Sequence, residues 1–188
     1  MSLKHAILAM LEIKEGTGYD IVGRFKESIG CFWSASHQQV YKELSELARN
    51  EWVNYQEVLQ QGKPAKIYQV TENGRDELNR WLMSSSKPGN YKDPFLVKVY
   101  AGAHMPAEKL MQDLSAKIAE HRITLAEYQA LDSALRSMPP LKYEKFRFPH
   151  ATLRFGLRIE QAWLEWALEL QEQIKAKAKP TQAPISES

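Results

Sequence analysis

Apolar residues return at helical spacing at Leu3, Ile7, Leu8 and Leu11, which predicts a first helix, and the turn-forming run Glu15-Gly16-Thr17-Gly18 ends it. A second helix follows at once on the stripe Val22, Phe25 and Ile29 and is closed by Gly30. Ser36 and Gln39 have the spacing of a capping box, so a third helix runs from about His37 to about Asn50, with Val40, Leu44 and Leu47 on its core side. After Trp52 the pattern changes. Val53-Asn54-Tyr55-Gln56-Glu57-Val58 alternates in part and Lys66-Ile67-Tyr68-Gln69-Val70 is β-rich, so the Gly62-Lys63-Pro64 turn between them makes a hairpin. Thr71 then caps a fourth helix, whose buried side is drawn from Leu78, Trp81 and Leu82.

Ser84-Ser85-Ser86-Lys87-Pro88-Gly89-Asn90 is polar and rich in turn formers, and everything beyond it reads as helix. Phe95 to Ala103 predicts a short apolar helix, and Pro106 takes the first-turn position of a long one from about Ala107 to Leu135. In heptads, Met111, Ile118 and Leu125 fall at one core position and Leu114, His121, Tyr128 and Leu135 at the other. Such a helix is on the order of 40 Å long and needs a long partner. The last helix, from about His150 to Lys177, is apolar on two arcs roughly 140° apart, one carrying Phe155, Ile159, Trp163, Trp166, Leu170 and Ile174, the other Leu153, Leu157, Leu164 and Leu168. One arc serves the protomer and the other requires a second surface, most economically that of a twofold-related copy. The expected dimer interface is Met111, Leu114, Ile118, His121, Leu125, Leu157, Trp163, Leu164, Trp166 and Leu168. The expected division is a domain at 1–83, a linker at 84–93, a helical dimerisation domain at 94–178 and a frayed tail at 179–188.

Helix, hairpin and helix in this order is the layout of a winged helix-turn-helix. The fold class expected is mainly α (α+β), a winged domain with a two-stranded wing followed by an all-α half. A chain of 188 residues with 44% apolar content has ample core for this without disulfides. Cys31, the single cysteine, cannot form an internal bridge, and beside Phe32 and Trp33 it reads as a small buried hydrophobe. With no apolar run near the roughly 20 residues of a membrane span and no signal core after Met1, the expected compartment is the cytoplasm.

Bulk charge gives no support to nucleic-acid binding. The net charge is +2, and residues 1–83 hold ten Lys plus Arg against eleven Asp plus Glu, so any attraction to phosphate must come from a local patch. The third helix offers one. Gln38, Lys42, Ser45 and Arg49 lie opposite its core side, none of them acidic, although Glu43 and Glu46 flank them. Gln suits adenine, Lys or Arg suits guanine, and Ser suits either base or phosphate. Lys63 and Lys66 bracket the hairpin turn, and no acid occurs between Val58 and Glu72, so a wing at 59–66 is expected on the backbone or minor groove. Tyr41, beside the polar face, either donates to a phosphate oxygen or packs half-buried.

Other chemistries fare worse. Gly16-Thr17-Gly18 with Gly23 is not a dinucleotide loop, because Ile21 stands where the third glycine is required. The five histidines lack ligand spacing, so no metal or cofactor is expected, and His121 reads as a hydrogen-bonded structural residue. No nucleophile and base or paired-carboxylate set can be assembled, which argues against an enzyme. Trp163 and Trp166 read as dimer-core packing, with stacking on a flat aromatic effector as the alternative. The competing class is a protein-interaction module that keeps a winged-helix shape without binding DNA, which the near-neutral first half favours.

The chain resembles the PadR family of winged-helix transcriptional regulators in five motifs. These are Leu3 to Leu11 before Gly16-Thr17-Gly18-Tyr19-Asp20-Ile21, then Trp33-Ser34-Ala35-Ser36, Val40-Tyr41-Lys42-Glu43-Leu44, Gly62-Lys63-Pro64-Ala65-Lys66-Ile67-Tyr68 and Thr71-Glu72-Asn73-Gly74-Arg75. The helical half is similar to the larger subfamily, whose C-terminal domain dimerises and whose members include virulence-gene activators. The resemblance implies a homodimer on an inverted-repeat operator, usually as a repressor, with Tyr41 on the DNA backbone and Lys63 and Lys66 as wing cations. It also implies phenolic or multidrug ligands for some members. The chain departs from the family at Lys63-Pro64-Ala65-Lys66, one cation short of a frequent Arg-Pro-Arg-Lys, and at His37-Gln38-Gln39, where small residues are frequent. The expected DNA-contacting set is Ser36, Gln38, Gln39, Tyr41, Lys42, Ser45, Arg49, Lys63 and Lys66.

Overall fold

The computed structural model describes residues 3–25, 33, 35–60, 62–86 and 92–178. The expectations for Ile29, Gly30 and Cys31, for linker residues 87–91 and for the tail from 179 lie outside the described residues. By internal contacts the chain divides into two units, Met1–Pro88 with Ala130–Gly156, and Gly89–Gln129 with Leu157–Ser188.

In the first unit α1 (Leu3–Ile13) buries Ile7, Leu8 and Leu11, as their spacing predicts, and Met10 besides, while Leu3 is half-buried. The segment expected only to end that helix is a strand. β1 (Gly16–Thr17) pairs antiparallel with β3 (Lys63–Val70), Gly16 opposite Tyr68 and Thr17 opposite Ile67. With β2 (Val53–Gln60) the sheet has the order β1-β3-β2, three strands where two were expected. Two residues show no period, and a partner far along the chain fixes their conformation. Thr17 also caps α2 (Gly18–Arg24) in a reciprocal box with Asp20, and the bonds from Thr17 hold the Asp20 carboxyl below the usual carboxylate range.

Helix α3 (His37–Arg49) begins as its capping box requires. The Gln39 backbone N–H donates to Ser36 Oγ at 3.2 Å, and the Ser36 N–H donates to Gln39 Oε1 at 2.8 Å. Val40, Leu44 and Leu47 are fully buried in the core with Ile7, Leu8 and Ile21. Beyond α3 the chain turns at Glu51, which is left-handed at φ 56°, and enters β2. That turn is fastened to the start of α4 (Glu72–Leu82). The Thr71 hydroxyl donates to the Glu51 carbonyl at 2.6 Å, and a Cβ on Gly74 would lie 2.1 Å from the Trp52 carbonyl oxygen, so only glycine fits. Leu78 is buried and Trp81 half-buried, but Leu82 is 59% exposed, contrary to expectation. Glu77 bonds Lys4 at 2.9 Å and His5 at 3.1 Å, and His5 stacks on Trp81, which sets the rotation of α4 and leaves Leu82 outside.

In the same unit α7 (Pro140–Tyr143) precedes α8 (Arg147–Ala178), and the buried His150 lies 2.6 Å from both Tyr143 Oη and Asp132 Oδ1. The second unit holds α5 (Pro94–Tyr100), capped by Asp93 and followed by a short 3-10 turn, and the greater parts of α6 (Ala107–Arg136) and α8. Its core is Phe95, Leu110, Leu114, Ile118, Trp163, Leu164 and Ala167. Among the residues expected at a dimer interface, Leu114, Ile118, Trp163 and Leu164 therefore spend their apolar surface inside one chain, because α8 itself covers that seam of α6. Met111, His121, Leu125, Leu157 and Trp166 are half-buried, and Leu168 is exposed. His121 is hydrogen-bonded, its Nδ1 2.5 Å from Glu160 Oε2, and its ring stacks on Trp163 with centroids 3.6 Å apart. Among the described residues no helix is long and apolar enough to cross a membrane.

Candidate nucleic-acid interface

The burial of Val40, Leu44 and Leu47 turns the opposite side of α3 outward, so Ser36, Gln38, Gln39, Tyr41, Lys42, Ser45 and Arg49 are all exposed. They are not equally available. Ser36 and Gln39 are tied to one another by the capping box, the Ser45 hydroxyl donates back to the Tyr41 carbonyl at 3.0 Å, and Arg49 bonds Glu46 at 2.8 Å. Gln38 and Lys42 take no hydrogen bond or ion pair among the described residues. The Arg49 pair is solvent-exposed, where such pairs contribute at most about 1 kcal/mol and are readily exchanged for another partner.

The wing is a tight hairpin. Gln60 pairs with Lys63, and Gly62 takes φ 75°, which glycine adopts without steric cost. Side chains alternate along β3, so Lys63 and Lys66 leave on opposite faces of the hairpin and do not form one patch. Lys63 is exposed and unpaired among the described residues. Lys66 lies over the Tyr55 ring at 4.0 Å and 3.7 Å from Glu57, its cross-strand partner, and the Tyr55 hydroxyl holds its ammonium above the usual lysine range.

Tyr41 sits where α3, α2 and the sheet meet. A Cβ on Gly18 would lie 2.5 Å from Tyr41 Cε1, so the ring rests against the bare backbone of the first residue of α2. Below it Tyr68 is buried, and burial keeps its phenol above the usual tyrosine range and hence protonated. Sequence reasoning assigned no role to Gly18, Tyr19, Tyr55 or Tyr68. The run Gly18-Tyr19 beside a helix start was a usable signal, whereas the placement of Tyr55 and Tyr68 depends on strand register.

A winged helix-turn-helix with an exposed, cation-bearing third helix and a basic hairpin is the architecture of a DNA-reading regulator. The sequence model of the PadR-like transcriptional regulator family matches residues 7–80, and that described as virulence activator alpha C-term matches residues 91–175. A probable transcriptional regulator of Mycobacterium tuberculosis is 31% identical over 94% of this chain and 100% of its own. The negative transcriptional regulator PadR of Bacillus subtilis is 30% identical over 87% of this chain and 92% of its own. Its structure with operator DNA matches at a TM-score of 0.72 and 28% identity, covering 92% of this chain and 98% of that one. Its structure with p-coumaric acid matches at 0.66 and 27%, covering 92% and 94%. The Vibrio cholerae virulence activator AphA matches at 0.71 and 34%, covering 94% and 100%. The chain belongs to the PadR-like family of transcriptional regulators.

Proposed function

We propose that the chain is a sequence-specific DNA-binding regulator that works as a homodimer on an inverted-repeat operator, with α3 of each protomer in successive major grooves roughly 34 Å apart and each wing on the flanking backbone. The observation that carries this reading is the exposed row Gln38, Lys42, Ser45 and Arg49, set directly above a fully buried apolar stripe on the same helix. The likeness to the PadR of Bacillus subtilis, solved in complex with operator DNA, supports a duplex-DNA partner. The dimer rests on apolar side chains that α6 and α8 leave in solvent, among them Ile123, Phe155 and Leu168. Relatives carry both regulatory signs, a negative regulator and an activator. Repression is the expected sign here, because a dimer seated across a promoter excludes polymerase.

Mobility shift at two salt concentrations tests the proposal. Binding through cations weakens steeply as salt rises, and Lys42→Ala and Lys63→Ala each weaken it while sedimentation still reports a dimer. Unchanged affinity in both variants counts against these residues. A small aromatic effector, the class to which p-coumaric acid belongs, fits the apolar cavity of about 170 Å³ in the first unit, lined by Met10, Ile13, Leu131, Leu135 and Leu153 with Arg24 beside them. Trp163 is less suited, since His121 covers its face. Titrating p-coumarate into the protein–DNA complex is expected to release DNA, and release abolished by Leu135→Trp assigns the effect to this cavity.

A further inference from the structure

Next to the polar face of α3 a cleft of about 400 Å³ opens between the start of α2 and the wing. Tyr19 and Tyr41 line it on the helical side, Tyr68 lines it from the sheet, and Lys66 and Glu57 belong to its wing side. Tyr19 is 73% exposed and Tyr41 47% exposed, and neither hydroxyl takes a hydrogen bond among the described residues. Among the described residues the one cation lining the cleft, Lys66, is matched by Glu57 at 3.7 Å and by the Tyr55 ring. The cleft is thus close to neutral and supplies O–H donors on rigid aromatic stems. That chemistry suits a phosphodiester, whose oxygens accept from tyrosine hydroxyls without reading sequence.

We propose that this cleft seats one strand of duplex DNA by its sugar-phosphate backbone, with the Tyr19 hydroxyl donating to a phosphodiester oxygen alongside that of Tyr41, and thereby fixes the angle at which α3 enters the groove. The inference rests on the reading that the chain binds duplex DNA. Tyr19 belongs to α2 and not to the recognition helix, so its contribution is to register, and it is the same on every sequence.

Neutral donors and cations leave different signatures in salt. The full chain and its Tyr19→Phe, Tyr41→Phe and Lys42→Ala variants are titrated against a duplex recovered by selection from a random pool and a scrambled duplex of equal length, across a range of salt. Tyr19→Phe removes a hydroxyl and no charge. It is expected to lose about tenfold in affinity per protomer on both duplexes, about a hundredfold for the dimer, the scale of one hydrogen bond to a charged group on each half, with the slope of log affinity against log salt unchanged. Lys42→Ala removes one cation from each protomer and lowers that slope by about two for the dimer. Wild-type affinity in Tyr19→Phe overturns the cleft while the Lys42→Ala loss leaves DNA binding standing. A loss confined to the selected duplex also overturns it, because the contact would then read bases. A parent chain that binds neither duplex overturns both readings.

Discussion

Gly18 has room for a hydrogen and nothing larger, because a methyl group would meet the Tyr41 ring edge at 2.5 Å. The obstacle is the side of an exposed ring and not backbone, so Gly18→Ala is expected to fold and to push Tyr41 away from its seat. DNA affinity should fall roughly fivefold, the scale of about 1 kcal/mol for a weakened hydrogen bond, with the circular dichroism spectrum unchanged. Wild-type affinity in Gly18→Ala would show that the position of Tyr41 does not matter. Lys66 teaches the opposite lesson. As a letter in the sequence it equals Lys63, yet strand register places it on the other face and over Tyr55, so its charge is partly spent inside the wing.

At the scale of the element, α3 was the most legible part of the chain, since the Ser36/Gln39 box and the Val40, Leu44 and Leu47 stripe are local and periodic. Removing the cap tests it. Ser36→Ala should cost about 1 kcal/mol of unfolding free energy, visible as a lower urea midpoint. An unchanged midpoint would mean the first turn of α3 is held by other contacts. What the sequence hid was non-local. β1 exists because Gly16 and Thr17 find Tyr68 and Ile67, and the tyrosine cleft exists because that pairing brings α2 beside the wing. In the helical half, periodicity located α6 and α8 but did not say which apolar arc each would use. Leu114, Ile118, Trp163 and Leu164 were expected to face a partner, and they are buried in the core of their own chain instead.

Whole-molecule stability has a pH signature. The Lys4 ammonium, with His5 and Arg80 beside it, holds the Glu77 carboxyl below the usual carboxylate range. Arg136, followed by His150, does the same for Asp132. For a carboxylate depressed on folding, the stabilisation is complete above its unfolded value, about 4, and is lost as pH falls through the lower folded value. Thermal midpoints should therefore drop below about pH 4. Glu77→Gln should be less stable by about 1–2 kcal/mol near neutrality, with the gap to the parent closing as the solution is acidified. A gap that stays constant with pH would remove the ionic explanation.

The fastening of the Glu51–Trp52 turn under Thr71 and Gly74 means that the reading head and its outrigger hang from a single bracket. Neither can be re-aimed without prising that joint open. Divergence toward new promoters then proceeds most easily by exchanging the outward residues of α3 one at a time, on a mount whose alignment stays put.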